Sequence, residues 1–139
     1  MALGSPTEKA ILIVEDNPVE STGLAVLLKR AGYGVHVVRD GGQALRHLGA
    51  EPADIIILDM LLPEVDGWKL LTQLRESPWK KVPVIITTSI NIASPEWARS
   101  LGASDCVRKP VDFEELLRKI QYYSTAASRP ESQLTSRAL

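Results

Sequence analysis

The stretch Ile55-Ile56-Ile57-Leu58-Asp59 decides the fold, because four consecutive aliphatic residues run directly into an acid. A strand buried on both faces of a parallel sheet reads as an uninterrupted apolar run of this kind. The same signature recurs at Ile11-Leu12-Ile13-Val14, which runs into Glu15-Asp16. A shorter version, Asp105-Cys106-Val107-Arg108, runs into Lys109-Pro110. Open α/β sheets bind ligands at the carboxyl ends of their strands. Glu15, Asp16, Asp59 and Lys109 are therefore expected along one edge, in one crevice.

Working outward, strands and helices alternate. Strands are predicted over Ala10–Val14, Val35–Val38, Ile55–Leu58, Val82–Thr87 and Ser104–Arg108. Asn17-Pro18 opens a first helix, with a capping side chain followed by a proline suited to the first helical position. Its expected apolar stripe is Val19, Leu24, Leu27, Leu28 and Ala31, stopped by Gly32. Asp40-Gly41-Gly42 leads into a second helix through Ala44, Leu45 and Leu48. Pro63 and Asp66-Gly67 mark a loop before a third helix carrying Leu70, Leu71 and Leu74, which Pro78 ends. A short fourth helix, Pro95 to Leu101, stops at Gly102. Asp112 caps a fifth, with Phe113, Leu116, Leu117 and Ile120 inward. Five βα units predict right-handed crossovers and a parallel sheet covered by helices on both faces. After Tyr123 the composition turns to Ser, Thr, Ala, Arg and Pro. The expected division is an N-terminal extension over 1–8, one domain over 9–123, and a flexible tail or linker over 124–139.

The 139 residues suffice for one domain with a real core. A formal net charge of -1 gives no electrostatic footprint for nucleic acid or an anionic membrane. The lone Cys106 has no internal disulfide partner, which fits a reducing compartment. No apolar stretch approaches the roughly 20 residues needed to span a bilayer, and Met1 to Glu8 lacks the pattern of a secretory signal. A cytoplasmic protein is expected. His36 and His47 are isolated in sequence, and surface or packing roles are expected for them.

The crevice has its own chemistry. Three carboxylates about 5 Å apart at an effective dielectric near 20 repel pairwise by roughly 3 kcal/mol, about two pKa units. A divalent cation removes that conflict. Mg²⁺ favours oxygen ligands, takes one or two carboxylates directly and keeps room for water and phosphate oxygens. With no His or Cys near these acids in sequence, zinc is disfavoured, and no organic cofactor is expected. Asp59 is the candidate nucleophile, since carboxylates form aspartyl-phosphate intermediates. Lys109 would neutralise phosphoryl charge, and Thr88, just past Val84-Ile85-Ile86, can offer a hydroxyl.

These residues, in this order, resemble the receiver domain of two-component response regulators. The resemblance is carried by Glu15-Asp16, Asp59-Met60-Leu61-Leu62-Pro63 with Asp66-Gly67, Pro83-Val84-Ile85-Ile86-Thr87-Thr88-Ser89, Gly102-Ala103 and Lys109-Pro110, and it covers about Lys9 to Tyr123. It implies a flavodoxin-like (βα)5 fold of strand order 2-1-3-4-5. It implies that Asp59 takes a phosphoryl group from a histidine kinase or histidine phosphotransfer protein, with the chain catalysing its own phosphorylation and dephosphorylation. By the same resemblance Asp16 and Asp59 bind Mg²⁺ directly, Glu15 binds it directly or through water, and Leu61 contributes its carbonyl. Thr88 becomes the switch hydroxyl, Ser89 helps hold the phosphoryl group, Lys109 pairs with it, and Lys109-Pro110 is cis. The fourth helix, fifth strand and fifth helix become an output face and a homodimer surface, across which Asp105, Arg99, Arg108 and Arg118 could pair.

Three departures stand out. Glu15 replaces the frequent Asp and still supplies oxygen. Cys106 occupies the position of a switch Tyr or Phe, and Val111 that of a frequent Phe. The missing aromatic keeps an alternative open: a pseudo-receiver that serves as a phosphorylation-independent interaction module. A flavin-binding flavodoxin is disfavoured because Glu15-Asp16 would repel the flavin phosphate. A haloacid dehalogenase-type phosphatase is disfavoured because Leu61 stands where that family has a second Asp. In receivers the residues two past the acceptor and two past the switch hydroxyl flank the hydrolytic water. Here they are Leu61 and Ile90, both apolar. Slow phosphoryl loss is expected, with Leu61→Asn accelerating it several-fold in a phosphate-release assay.

Overall fold

The computed structural model describes residues 8–60 and 65–127. The chain alternates β1 (Ala10–Val14), α1 (Pro18–Arg30), β2 (Gly34–Val38), α2 (Gly41–Ala50), β3 (Ile55–Asp59), α3 (Val65–Arg75), β4 (Val84–Thr88), α4 (Pro95–Ser100), β5 (Asp105–Arg108) and α5 (Phe113–Ala127). The strands form one parallel sheet of order β2-β1-β3-β4-β5, the expected flavodoxin-like arrangement.

Successive strand residues point to opposite faces, and both faces are buried. On one side Ile11, Ile13, Ile57, Ile85 and Val107 pack against Ala25 and Leu28 of α1 and Leu116 and Ile120 of α5. On the other, Leu12, Val14, Leu58, Ile86 and Cys106 meet Leu48 of α2, Leu70 of α3 and Ala98 of α4. Fully burying one such aliphatic side chain contributes roughly 1.5–3 kcal/mol, which is why the central runs carry no polar residue.

Local signals set the helix ends. The Asn17 side chain accepts hydrogen bonds from the Val19 and Glu20 N–H groups at 2.9 and 3.1 Å, with Pro18 following it. The buried face of α1 differs from the expected stripe. It is Ser21, Ala25 and Leu28, whereas Val19 is 80% exposed and Leu27 42% exposed. A helix laid flat on a sheet buries a narrow stripe at spacings of three and four, so the remaining apolar residues face outward. Asp66-Gly67, expected in a loop, belongs instead to the first turn of α3. There the helix approaches the end of β3 so closely that a Cβ on Gly67 would lie 3.1 Å from Met60 Cγ. Gly102 combines a φ of +98° with a still closer neighbour, since a Cβ there would lie 2.7 Å from Arg75 Cδ.

The last helix continues to Ala127, past the expected boundary at Tyr123, and Ser124 is buried. A polar cluster fastens it. Lys119 Nζ donates to Asp105 Oδ1 at 3.1 Å and to the Cys106 carbonyl at 2.9 Å. Tyr123 Oη lies 3.0 Å from Asp105 Oδ2 and 3.2 Å from the Ser104 carbonyl. Burial, reinforced by the Asp105 carboxylate, pushes the Tyr123 hydroxyl up to about 12. Asp105, one of the residues that could pair across a dimer face, is buried and paired within the chain. Arg99 likewise pairs with Glu96 at 3.7 Å, and Arg108 reaches Asn91 at 3.4 Å. The rings of His36 and His47, distant in sequence, stack at 4.1 Å between β2 and α2. Among the described residues no helix is long and apolar enough to cross a membrane. Tyr123→Phe is expected to lower the unfolding free energy by about 1–2 kcal/mol in a urea titration, because it leaves a buried carboxylate oxygen short of a donor.

Candidate functional site

The site forms because the strand ends are in register. Val14 pairs with Val38 and Leu58, Asp59 with Thr87, and Thr88 with Arg108. The ladder also runs one residue beyond the strands, with Glu15 N–H donating to the Val38 carbonyl at 3.0 Å and Lys109 N–H to the Thr88 carbonyl at 2.7 Å. Glu15, Asp59, Thr87 and Lys109 continue the rows of alternate residues that pack under α1 and α5. They therefore arrive on the same side of the sheet.

Lys109 is the hub. Its ammonium pairs with Asp59 Oδ1, lies 2.7 Å from Glu20 Oε1, and stands 3.9 Å from Glu15 Oε1. Burial works against this ammonium, but the hydrogen bonds to Asp59 and Glu20 outweigh it and raise its pKa. Glu15 is buried, and one of its oxygens accepts from the Asn17 N–H at 3.0 Å. Burial pushes the Glu15 carboxyl up to about 7, the Asn17 hydrogen bond pulls it down, and the Asp59 charge pushes it up again. Oxygens of Glu15, Glu20 and Asp59 all lie within 4.8 Å of one another. Asp16 is exposed at the rim of the adjoining cleft, about 160 Å³, which Glu15, Asp59, Arg39 and Asp40 also line.

The two threonines divide the space. Thr87 Oγ1 lies 3.4 Å from Asp59 Oδ1, so the hydroxyl beside the Asp59 carboxylate is that of Thr87. Thr88, the expected hydroxyl, is fully buried in the row of the opposite face, and its Oγ1 accepts from the Ile90 N–H at 3.2 Å. Ser89 is exposed and lines an open groove beside Lys109. Leu61 and its carbonyl lie outside the described residues. Lys109-Pro110 is cis. Cys106 is buried on the side of α4, and burial, then the Asp105 charge, pushes its thiol up, as suits a packing residue.

Sequence reasoning missed Glu20 and Thr87. An acid in the first turn of a helix reads as a complement to the helix dipole, which hid the reach of Glu20 to Lys109. Strand parity could have separated Thr87 from Thr88, since residues 85 and 87 share a row with 57 and 59.

A profile of the response regulator receiver domain matches residues 11–121. The chain belongs to that family. This receiver is 33% identical over 112 residues to the protein PilH of Pseudomonas aeruginosa, an alignment covering 79% of this chain and 93% of PilH. It is 34% identical over 123 residues to the transcriptional regulatory protein PcoR of Escherichia coli, covering 88% of this chain but only 53% of PcoR. Among solved structures it is similar to the receiver domain of a sensor histidine kinase from Pseudomonas aeruginosa PAO1, with TM-score 0.75, 32% identity and coverage of 85% and 98%. That structure has a magnesium ion coordinated in its active site cleft.

The raised Glu15 pKa fixes the sign of a pH effect. A carboxyl that holds its proton more tightly when folded favours the native state at low pH, and that contribution is lost as pH rises from about 4.5 to about 7. In chelator-containing buffer, native-state stability should fall across that window. Glu15→Gln should flatten the fall, as read by denaturant titrations at several pH values.

Proposed function

We propose that this receiver is a phosphorylation switch in which Asp59 accepts a phosphoryl group from a histidine kinase or histidine phosphotransfer protein, in a reaction that depends on Mg²⁺. The observation that carries the reading is the Lys109 ammonium seated on Asp59 within a cluster of carboxylates. A phosphorylation-independent module would have no use for such a costly concentration of charge. The oxygen-only donor set suits Mg²⁺, and the Glu15 carboxyl, raised to about 7 chiefly by burial and further by the Asp59 charge, is one whose ionised form a bound cation would favour. Glu15, Asp16, Asp59 and the Leu61 carbonyl would hold the ion. When bound, it neutralises charge on the transferring phosphoryl group.

The chain's own residues do the rest. An Asp59 oxygen attacks phosphorus, while Lys109 supplies positive charge to the phosphoryl oxygens. Ser89 lies at the mouth of the groove, where its hydroxyl can donate to another of those oxygens. Thr88, whose oxygen accepts from the Ile90 N–H, would donate its hydroxyl proton to a phosphoryl oxygen. The new charge, about -1.5 to -2, biases the segment after β4 and the face formed by α4, β5 and α5, which would serve as output or homodimer surface. We place the protein in the cytoplasm, where ATP-dependent kinases supply phosphohistidine. Nothing in the charge distribution calls for direct nucleic-acid or membrane contact.

Incubation with acetyl phosphate and Mg²⁺, read by intact mass, should add about 80 Da, one phosphoryl group. Asp59→Ala should abolish the gain. A native chain that gains nothing refutes the proposal.

A further inference from the structure

We propose that Glu20 is a specificity-determining residue of this site, selecting phosphodonors by their charge; the inference rests on the reading of Asp59 as phosphoryl acceptor. Glu20 Oε1 lies 2.7 Å from Lys109 Nζ, the ammonium that also pairs with Asp59. Glu20 and Asp59 bring two negative charges to that one positive charge, and Glu15 adds a third when ionised. The notch is net negative even before Asp16 at its rim is counted.

Glu20 differs from the other two acids in its position. The side chains of Glu15 and Asp59 are buried, whereas that of Glu20 is 47% exposed. With Lys109 and Ser89 it borders an open groove of about 570 Å³, whose apolar wall includes Leu24, Leu27 and Phe113. Asp59 itself lines the adjoining cleft with Glu15 and Asp16, but a Glu20 oxygen stands within 4.8 Å of an Asp59 oxygen, so a donor seated on Asp59 lies within range of the Glu20 charge. The fixed charge repels the donor in proportion to the donor's own charge. Its ion pair also keeps one side of the Lys109 ammonium away from incoming phosphoryl oxygens.

The reaction itself leaves Glu20 unchanged. A bond forms between an Asp59 oxygen and phosphorus, and the bond from phosphorus to the leaving group breaks. Acetate departs from acetyl phosphate, or ammonia from phosphoramidate, each taking the bonding electron pair, and neither reaction requires a proton transfer. Acetyl phosphate carries about two negative charges near neutral pH and zwitterionic phosphoramidate about one net, so the two donors report on charge selection directly.

The test compares the full native chain with Glu20→Gln and with Glu51→Gln, a charge-matched control at the opposite end of the sheet. Initial rates of mass gain are measured with each donor in Mg²⁺ buffer. Glu20→Gln should raise the acetyl phosphate rate about fivefold and the phosphoramidate rate about twofold. Added salt should shrink both gains, and Glu51→Gln should change neither rate. A folding defect would lower both rates together and could not raise their ratio. Equal changes with the two donors, no change, or a fall in both rates would overturn the selectivity of Glu20 while leaving Asp59 as acceptor. A native chain that takes no phosphoryl group from either donor would overturn both readings.

Discussion

The pairing of the Lys109 ammonium with Asp59 is the interaction on which the site depends. Without a cation, the carboxylates of Glu15, Glu20 and Asp59 would repel one another, and burial leaves Glu15 and Asp59 poorly screened. Lys109 offsets part of that conflict, and burial of Glu15 keeps the remainder alive. The site is therefore stable enough to fold yet still electrostatically unsatisfied.

The sheet delivers these groups with little freedom. Parallel register aligns the ends of β1, β3, β4 and β5, and alternation decides which side chain faces which layer. Alternation places Asp59 and Thr87 in one row, and Thr88 and Cys106 in the row facing α4. The polar cluster of Asp105, Lys119 and Tyr123 then ties α5 to β5 on the side of the sheet where the charged residues converge. The more exposed members of the site, Asp16, Glu20 and Ser89, lie towards solvent.

Most of this architecture was legible in the chain. Runs such as Ile55–Leu58 can only be strands buried on both faces, and punctuation by Asn17-Pro18, Gly32 and Gly102 sets the helix ends. What stayed hidden depended on rotation and reach. The burial of Ser21 and Ala25 in preference to Val19 and Leu27 follows from the angle at which α1 lies on the sheet, which hydrophobicity alone does not encode. The Glu20–Lys109 pair joins residues far apart in sequence, and an acid at that helix position already has a local explanation. Asp105 read as a surface charge because its partners, Lys119 and Tyr123, come from a helix whose docking the sequence does not specify. The stacking of His36 on His47 was hidden for the same reason.

Gly102 carries a consequence for how the chain tolerates change. Its backbone conformation disfavours any other residue, and the Arg75 side chain occupies the space a Cβ would need. Replacing the glycine would strain the backbone at this positive φ, and the flexible end of the Arg75 side chain would also have to swing aside. Insertions and exchanges in the segment joining α4 to β5 must therefore fall on either side of this point, which acts as a fixed rivet between the tail of α3 and the entry to the last strand.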